Sequence, residues 1–441
     1  MHYKRPTFSF LILHFLFLIF LYSCSVQKQI SKSATEEVLT NKALTTAHVG
    51  ISIYDPAENK YWYNYNGDKY FVPASNTKIP TCYAAMKYLG DSLVGLRIFN
   101  SDGNLYLFPA GDPSFLHKDF SNQPVFTYLK NTKASNITIV DTVWRDEPLG
   151  SGWSWNDYNE DYMAERSSLP VFGNIFELSG RQSDLHSTPS FKFSYQSEGS
   201  LELSSVFREQ GANRFSFGFK GERKRTVRIP FATIKGETNR QLLSDTLHKR
   251  INPQDDFIPV IEGDPRVIAI HSQPTDSLLK PMMHRSDNFF AEQSLLMVSN
   301  ERLGYMSDEK IIDTLLKTDF KDLPQKPRWA DGSGLSRYNL FTPQDFVAIL
   351  NKMKNEFGME RIKVILPTGG EGTISSYYKT DSGYIYGKTG TLSGVVAFSG
   401  YLYTKKGKLL IFSTLINNHQ ASATDVRRAV EKFLQGLRNR Y

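Results

Sequence analysis

Only two cysteines occur in 441 residues, Cys24 and Cys82. A disulfide-stapled scaffold is therefore excluded, and a chain of this length must be held by its core. No charge sign dominates: 52 basic and 45 acidic residues leave a formal +7, spread along the chain. The densest cluster, Lys220 to Arg228, lies between aromatic strand-like stretches and reads as a solvated face or an anion-binding surface. The basic–aromatic layout of a nucleic-acid module is missing, so no nucleic-acid partner is expected. Internal repeats and low-complexity tracts are also missing. At 40% apolar and 22% charged residues, an ordered globular chain of more than one domain is expected.

One apolar run stands out. Lys4 and Arg5 precede Phe8–Tyr22, which ends at Leu21-Tyr22-Ser23-Cys24. This reads as a secretion signal, too short for a comfortable membrane span. The terminal cysteine resembles a bacterial lipobox, with Cys24 lipidated and first in the mature chain. Tyr22 is unusual there, which leaves plain cleavage or an uncleaved anchor as alternatives. An exported protein of the cell envelope or periplasm is expected, tied to the outer membrane by lipid alone. Residues 25–46 are polar and read as a tether.

Alternation over Ala47–Tyr54 predicts a strand, with Tyr61–Tyr65 returning after Asp55-Pro56. A helix follows Ser75, with Ile79, Cys82, Tyr83, Met86 and Leu89 on one face. Cys82 reads as packing rather than chemistry. Further helices are expected at Asp287–Ser299, Thr342–Lys354 and Ala423–Leu437. Ser382–Gly387 reads as a strand, and Val395–Thr404 with Lys408–Leu415 as a hairpin. The terminal strands and last helix would close one α/β layer with the opening strands. Between Leu89 and about Pro281 come short runs at Leu105–Phe108, Ile137–Val143, Phe191–Tyr195, Phe215–Phe219, Thr226–Ile229 and Val267–His271. They predict a β-rich insertion over 91–280, which splits the first unit into 47–90 and 281–441.

Three motifs carry chemistry: Ser75-Asn-Thr-Lys78, Ser286-Asp-Asn288 and Lys388-Thr389-Gly390. A Ser-x-x-Lys pair alone means little, because it recurs at Ser25/Lys28, Ser277/Lys280, Ser307/Lys310 and Ser376/Lys379. The copy at Ser75 differs by following a Pro-Ala turn at a helix start. There the two side chains fall one turn apart, and a lysine of lowered proton affinity can activate the serine. Ser286 can relay a proton and Asn288 can hold Lys78 and the substrate amide, unless this is merely a helix cap. Lys388 and Thr389 suit a carboxylate, and Gly390 allows close backbone approach on an edge strand. The backbone N–H groups of Thr391 and Ser75 could form an oxyanion hole.

The trio in this order is that of β-lactamases and penicillin-binding proteins. The likeness extends to Asp331-Gly-Ser-Gly-Leu-Ser-Arg337, Gly111-Asp-Pro-Ser114 and Gly152-Trp-Ser-Trp-Asn-Asp157. From about Ala47 to the C-terminus the chain resembles the class C penicillin-binding proteins, D-alanyl-D-alanine carboxypeptidase/endopeptidases. The resemblance implies an α/β (α+β) transpeptidase/β-lactamase-like domain, an antiparallel sheet flanked by helices, with a large insertion. It implies acylation of Ser75, Lys78 as base, and Asp112 with Arg337 gripping the end of a diaminopimelate side chain. Asp112 before proline also fits a simple turn. The partners implied are peptidoglycan stem peptides and β-lactam inhibitors, with no metal or other cofactor. Two departures concern recognition. Ser393 stands where the family often has glutamine, and His117 where a member carries an aromatic ring. A β-lactamase or esterase on the same scaffold, and a silent wall-binding protein, are the rival readings.

Overall fold

The computed structural model describes residues 26–101, 103–195, 198–221, 225–253 and 264–441. The expected secretion signal and Cys24 lie outside these residues, as does part of the basic cluster at 220–228.

The first unit is built on a five-stranded sheet in the order β13 (Ile385–Leu392), β14 (Val395–Tyr403), β15 (Leu409–Asn417), β1 (His48–Asp55) and β2 (Lys60–Tyr65). Every pairing in it is antiparallel, so chain termini and opening strands meet as expected. Strands β14 and β15 are buried on both faces, which matches their nearly unbroken apolar sequences. One face is covered by α2 (Lys78–Tyr88), α5 (Thr275–His284), α6 (Asn288–Leu303) and α8 (Pro343–Ile365). The other face is covered by α9 (Ala423–Arg440), whose Val426, Val430, Phe433 and Leu434 form the expected stripe. Strand β13, which carries the Lys-Thr-Gly motif, is at the sheet edge.

Helix α2 departs from its expected single buried face. Every residue from Lys78 to Met86 is buried, because the helix runs between α6, α8 and α5. The polar members are accommodated by hydrogen bonds: Thr81 donates to the Gly332 carbonyl at 2.7 Å. Helix α8 runs past the expected Lys354 to Ile365, interrupted only at Gly358 with φ 74°.

The polar segment 26–46 is not a tether. Residues 26–34 form α1, continued by a wider turn at Thr35–Leu39. Ile30, Ala34 and Val38 recur every fourth residue and are buried with Leu44 in the α9 cluster. Tyr441, at the C-terminus, donates its hydroxyl to Gln29 at 3.2 Å.

The insertion holds a mixed sheet in the order β11 (Ile251–Asn252), β5 (Asn136–Ile139), β4 (Asn104–Pro109), β3 (Ser92–Ser101) and β12 (Ile268–Pro274). Beside it are a three-stranded sheet, β10 (Val227–Pro230), β6 (Ile175–Arg181) and β7 (Asp184–Thr188), and the ribbon β8 (Leu203–Arg208) with β9 (Phe215–Phe219). Helices α3 (Pro124–Asn131) and α4 (Glu237–Leu247) complete its core. Phe191–Tyr195 forms no strand. Its rings instead pack on Phe176, with centroids 4.9 Å away for Phe191 and 5.4 Å for Phe193. The chain rejoins the first unit earlier than the expected residue 281, because α5 already packs on α2 and α8. Helix α7 (Asp308–Lys317) packs on α6.

Candidate active site

The nucleophile candidate sits on a tight turn. Ala74 has φ 47°, and Ala74–Thr77 form a single 3-10 turn before α2 begins at Lys78. Two glycines press against that turn. A Cβ on Gly390 would meet the Pro73 carbonyl at 2.6 Å and the Ser75 nitrogen at 3.0 Å. A Cβ on Gly334 (φ 82°) would lie 1.9 Å from the Ala74 carbonyl. Strand β13 and the Asp331–Arg337 loop are thus clamped onto Ser75 from two sides.

Lys78 is fully buried. Its Nζ lies 3.1 Å from Ser75 Oγ, 2.7 Å from Asn288 Oδ1 and 2.7 Å from the Ser333 carbonyl. Burial lowers its pKa to about 8, against the pull of Asp331, Glu292 and Asp287. A neutral amine has two N–H groups and one lone pair. Both oxygens at 2.7 Å are acceptors only, so they engage the two N–H groups and leave the lone pair for the Ser75 hydroxyl. This is the geometry of a base beside its nucleophile.

Ser286 lies between α5 and α6 in a left-handed conformation, φ 64°. The cap of α6 is Asp287, which accepts from the Phe290 N–H at 2.9 Å. Ser286 is therefore freed from capping, and its hydroxyl accepts from Lys388 Nζ at 2.9 Å. Lys388 also donates to the Thr389 carbonyl at 2.7 Å and is fully buried. Burial first, and the charge of Lys78 second, pull its proton affinity well below that of an ordinary lysine. Asn288 completes the bridge by donating to the Tyr162 carbonyl at 3.1 Å.

Thr389 donates to Thr373 Oγ1 at 2.7 Å, and Thr391 accepts from Arg427 at 2.5 Å. Arg337 donates to the Ser393 carbonyl at 2.7 Å, so these two recognition candidates are brought together at an exposed edge. Ser393 takes part through its backbone, at the turn joining β13 to β14.

Asp112 is buried at the Gly111–Ser114 turn of the insertion. It is 2% exposed and accepts from the Ser114 N–H at 2.8 Å and the Ser114 hydroxyl at 2.9 Å. Both carboxylate oxygens take part in the Asp-Pro turn, and burial raises its pKa. His117 does reach the site: with Arg285, Ser286, Asp287 and Asn288 it lines a cavity of about 170 Å³. A wider cleft of about 1190 Å³ in the insertion, at Thr188–Lys192 and Gln241–Arg250, contains none of the motif residues.

Sequence reasoning missed the Ser333 carbonyl, Tyr162 and Thr373. Only the first had a signal, since Ser333 lies within the Asp331–Arg337 motif. The Gly152–Asp157 element is joined to that motif by Trp153, which donates to Asp331 Oδ2 at 3.0 Å.

The sequence profile of the D-Ala-D-Ala carboxypeptidase 3 (S13) family matches residues 31–437. The chain belongs to the S13 family. Membership makes it a serine-type D-Ala-D-Ala carboxypeptidase of the penicillin-binding-protein class. Among its relatives is D-alanyl-D-alanine carboxypeptidase DacB of Haemophilus influenzae, 24% identical over 91% of this chain and 92% of the relative. The D-alanyl-D-alanine carboxypeptidase of Actinomadura sp. is 25% identical over 88% of this chain and 81% of the relative. The crystal structure of penicillin binding protein 4 from Haemophilus influenzae superposes with a TM-score of 0.70 at 20% identity, covering 92% of this chain and 98% of that one. That likeness shows the fold, a mixed α/β architecture of antiparallel sheets and helices. Among the described residues, no helix is long and apolar enough to cross a membrane.

Proposed function

We propose that this S13 enzyme cleaves peptidoglycan stem peptides through an acyl-enzyme on Ser75. The supporting observation is the Lys78 amine, 3.1 Å from Ser75 Oγ, with both N–H groups engaged elsewhere. Neutral Lys78 takes the Ser75 proton as Oγ attacks the carbonyl of the penultimate D-alanine. The developing oxyanion lies toward the Ser75 and Thr391 N–H groups, where Gly390 allows the close approach. The C–N bond breaks, and the departing D-alanine receives its proton along Ser286. Water then attacks the ester and regenerates the Ser75 hydroxyl.

Lys388 and Thr389 receive the terminal carboxylate, and docking of that anion returns Lys388 to its charged form. Arg337 at the Ser393 turn faces the more distant part of the stem peptide. Penicillins occupy the same place and acylate Ser75. Removal of a terminal D-alanine is the primary activity, with hydrolysis of cross-links where the cleft admits a second peptide. The enzyme works in the cell envelope, exported by its N-terminal leader and attached to the outer membrane through lipid on Cys24.

Fluorescent penicillin tests the reading: the wild type is labelled and Ser75→Ala is not. An unlabelled wild type overturns it. Purified monomeric and cross-linked muropeptides, followed by mass analysis, separate carboxypeptidase from endopeptidase. Rapid turnover of the antibiotic instead of a lasting adduct identifies a β-lactamase.

A further inference from the structure

Glu292 lies one turn after Asn288 on α6 and is 1% exposed. Its Oε1 accepts from the Ser333 N–H at 2.7 Å, and the Ser333 carbonyl accepts from Lys78 Nζ at 2.7 Å. Its Oε2 faces Arg166 Nη1 at 3.4 Å. Arg166 comes from the insertion and is itself 1% exposed. It also donates to Asp308 at 2.6 Å, Asp146 at 2.8 Å and the Glu147 carbonyl at 2.9 Å. An unbroken line of polar contacts therefore runs from the insertion, through one carboxylate and one peptide group, to the amine beside Ser75.

We propose that Glu292 is a positioning residue for Lys78, acting through the Ser333 peptide and held in place by Arg166 of the insertion. This rests on the reading of Lys78 as base. A carboxylate on the Ser333 N–H polarises that peptide and strengthens its carbonyl as an acceptor. That carbonyl fixes one of the two N–H directions of neutral Lys78, and hence the direction of the lone pair. A buried ion group of this size is expensive to build, and well-packed apolar side chains can replace such groups without loss of stability. Its arrangement along the path to Lys78 gives it a role in orientation. The charged groups facing Glu292 are Arg166, Asp308, Asp331 and Lys78; Asp146 lies beyond Arg166, and Asp287 faces Lys78. Because the charge of Glu292 favours the protonated amine, its removal eases deprotonation while the Ser333 peptide loses the carboxylate that polarises it.

The test is the rate constant for acylation by fluorescent penicillin, per titrated active site, from pH 6 to 10. In Glu292→Gln the plateau is expected to fall tenfold or more, and the half-maximal pH to move down by about half a unit or more. A merely structural role would reduce the number of active sites and leave the plateau per site unmoved, with the half-maximal pH still moving because the charge of Glu292 is gone. If Glu292→Gln does not fold, Glu292→Asp is read instead. It keeps the charge beside Arg166 but falls short of the Ser333 N–H, so its plateau per site should also fall tenfold. A plateau within twofold of wild type in the folded variant overturns the proposal. An unlabelled wild type would instead overturn the assignment of Lys78 and Ser75.

Discussion

Lys78 depresses the proton affinity of Lys388: both amines are fully buried and each lies within hydrogen-bond reach of a serine hydroxyl, Ser75 for the first and Ser286 for the second. Neither lysine is paired with a carboxylate by direct contact in the described residues, so both favour the neutral form more than a surface lysine does.

The pH dependence of acylation follows. With Lys78 titrating near 8, roughly one molecule in ten carries the neutral amine at pH 7 and roughly nine in ten at pH 9. The acylation rate constant should rise about ninefold across that range, measured by stopped-flow labelling. The unfolded chain holds this proton up to about 10.5 and the folded chain only to about 8. Between those values the unfolded state binds more protons, and the contribution of Lys78 to stability rises with pH.

Asn288→Ala removes an acceptor of Lys78 at 2.7 Å and the donor to Tyr162. Acylation should fall by about 10²-fold, the range typical for a positioned proton-transfer group. Thermal unfolding of the same variant should change little, because Asp287 still caps α6.

Gly390→Ala places a methyl group against backbone atoms of Pro73 and Ser75, which have little room to move. Strand β13 must shift away from Ser75. Penicillin labelling is expected to drop more than tenfold, while circular dichroism keeps its native shape.

Asp112 and Arg337 should part company. Asp112→Ala breaks two hydrogen bonds of a buried turn and should lower stability by about 1–3 kcal/mol in urea titration, with stem-peptide KM unchanged. Arg337→Ala should raise that KM severalfold while leaving stability and penicillin acylation near wild type, because its guanidinium is exposed at the Ser393 turn.

Much of this was legible beforehand, for a physical reason. Side chains fit for this chemistry must be particular residue types at element ends, so the candidates Ser75, Lys78, Ser286, Asn288 and Lys388 stand out in the sequence, and the fold brings them into contact. Backbone partners do not: any residue at position 333 or 162 offers the same carbonyl. The role of Glu292 was hidden similarly, since it acts through a peptide group. The segment 26–46 misled by composition, because three small or medium apolar residues at fourfold spacing are easily lost among Lys, Ser and Thr. Phe191–Tyr195 alternates like a strand, yet among the described residues it joins no sheet, and Phe191 and Phe193 pack on Phe176. Asp112 was recognisable as a motif residue, but its burial and its two hydrogen bonds from Ser114 were not.

Helix α1 changes what the proposed lipid on Cys24 would mean for the enzyme's reach. The described helix begins at residue 26 and lies docked on α9. The link from Cys24 to residue 26 would extend no more than about 7 Å. Anchored so, the catalytic body would stay close to the lipid surface instead of reaching outward on a long tether. It would sample only the layer of cell wall that passes its cleft, and lateral diffusion of the anchor would set which bonds it meets.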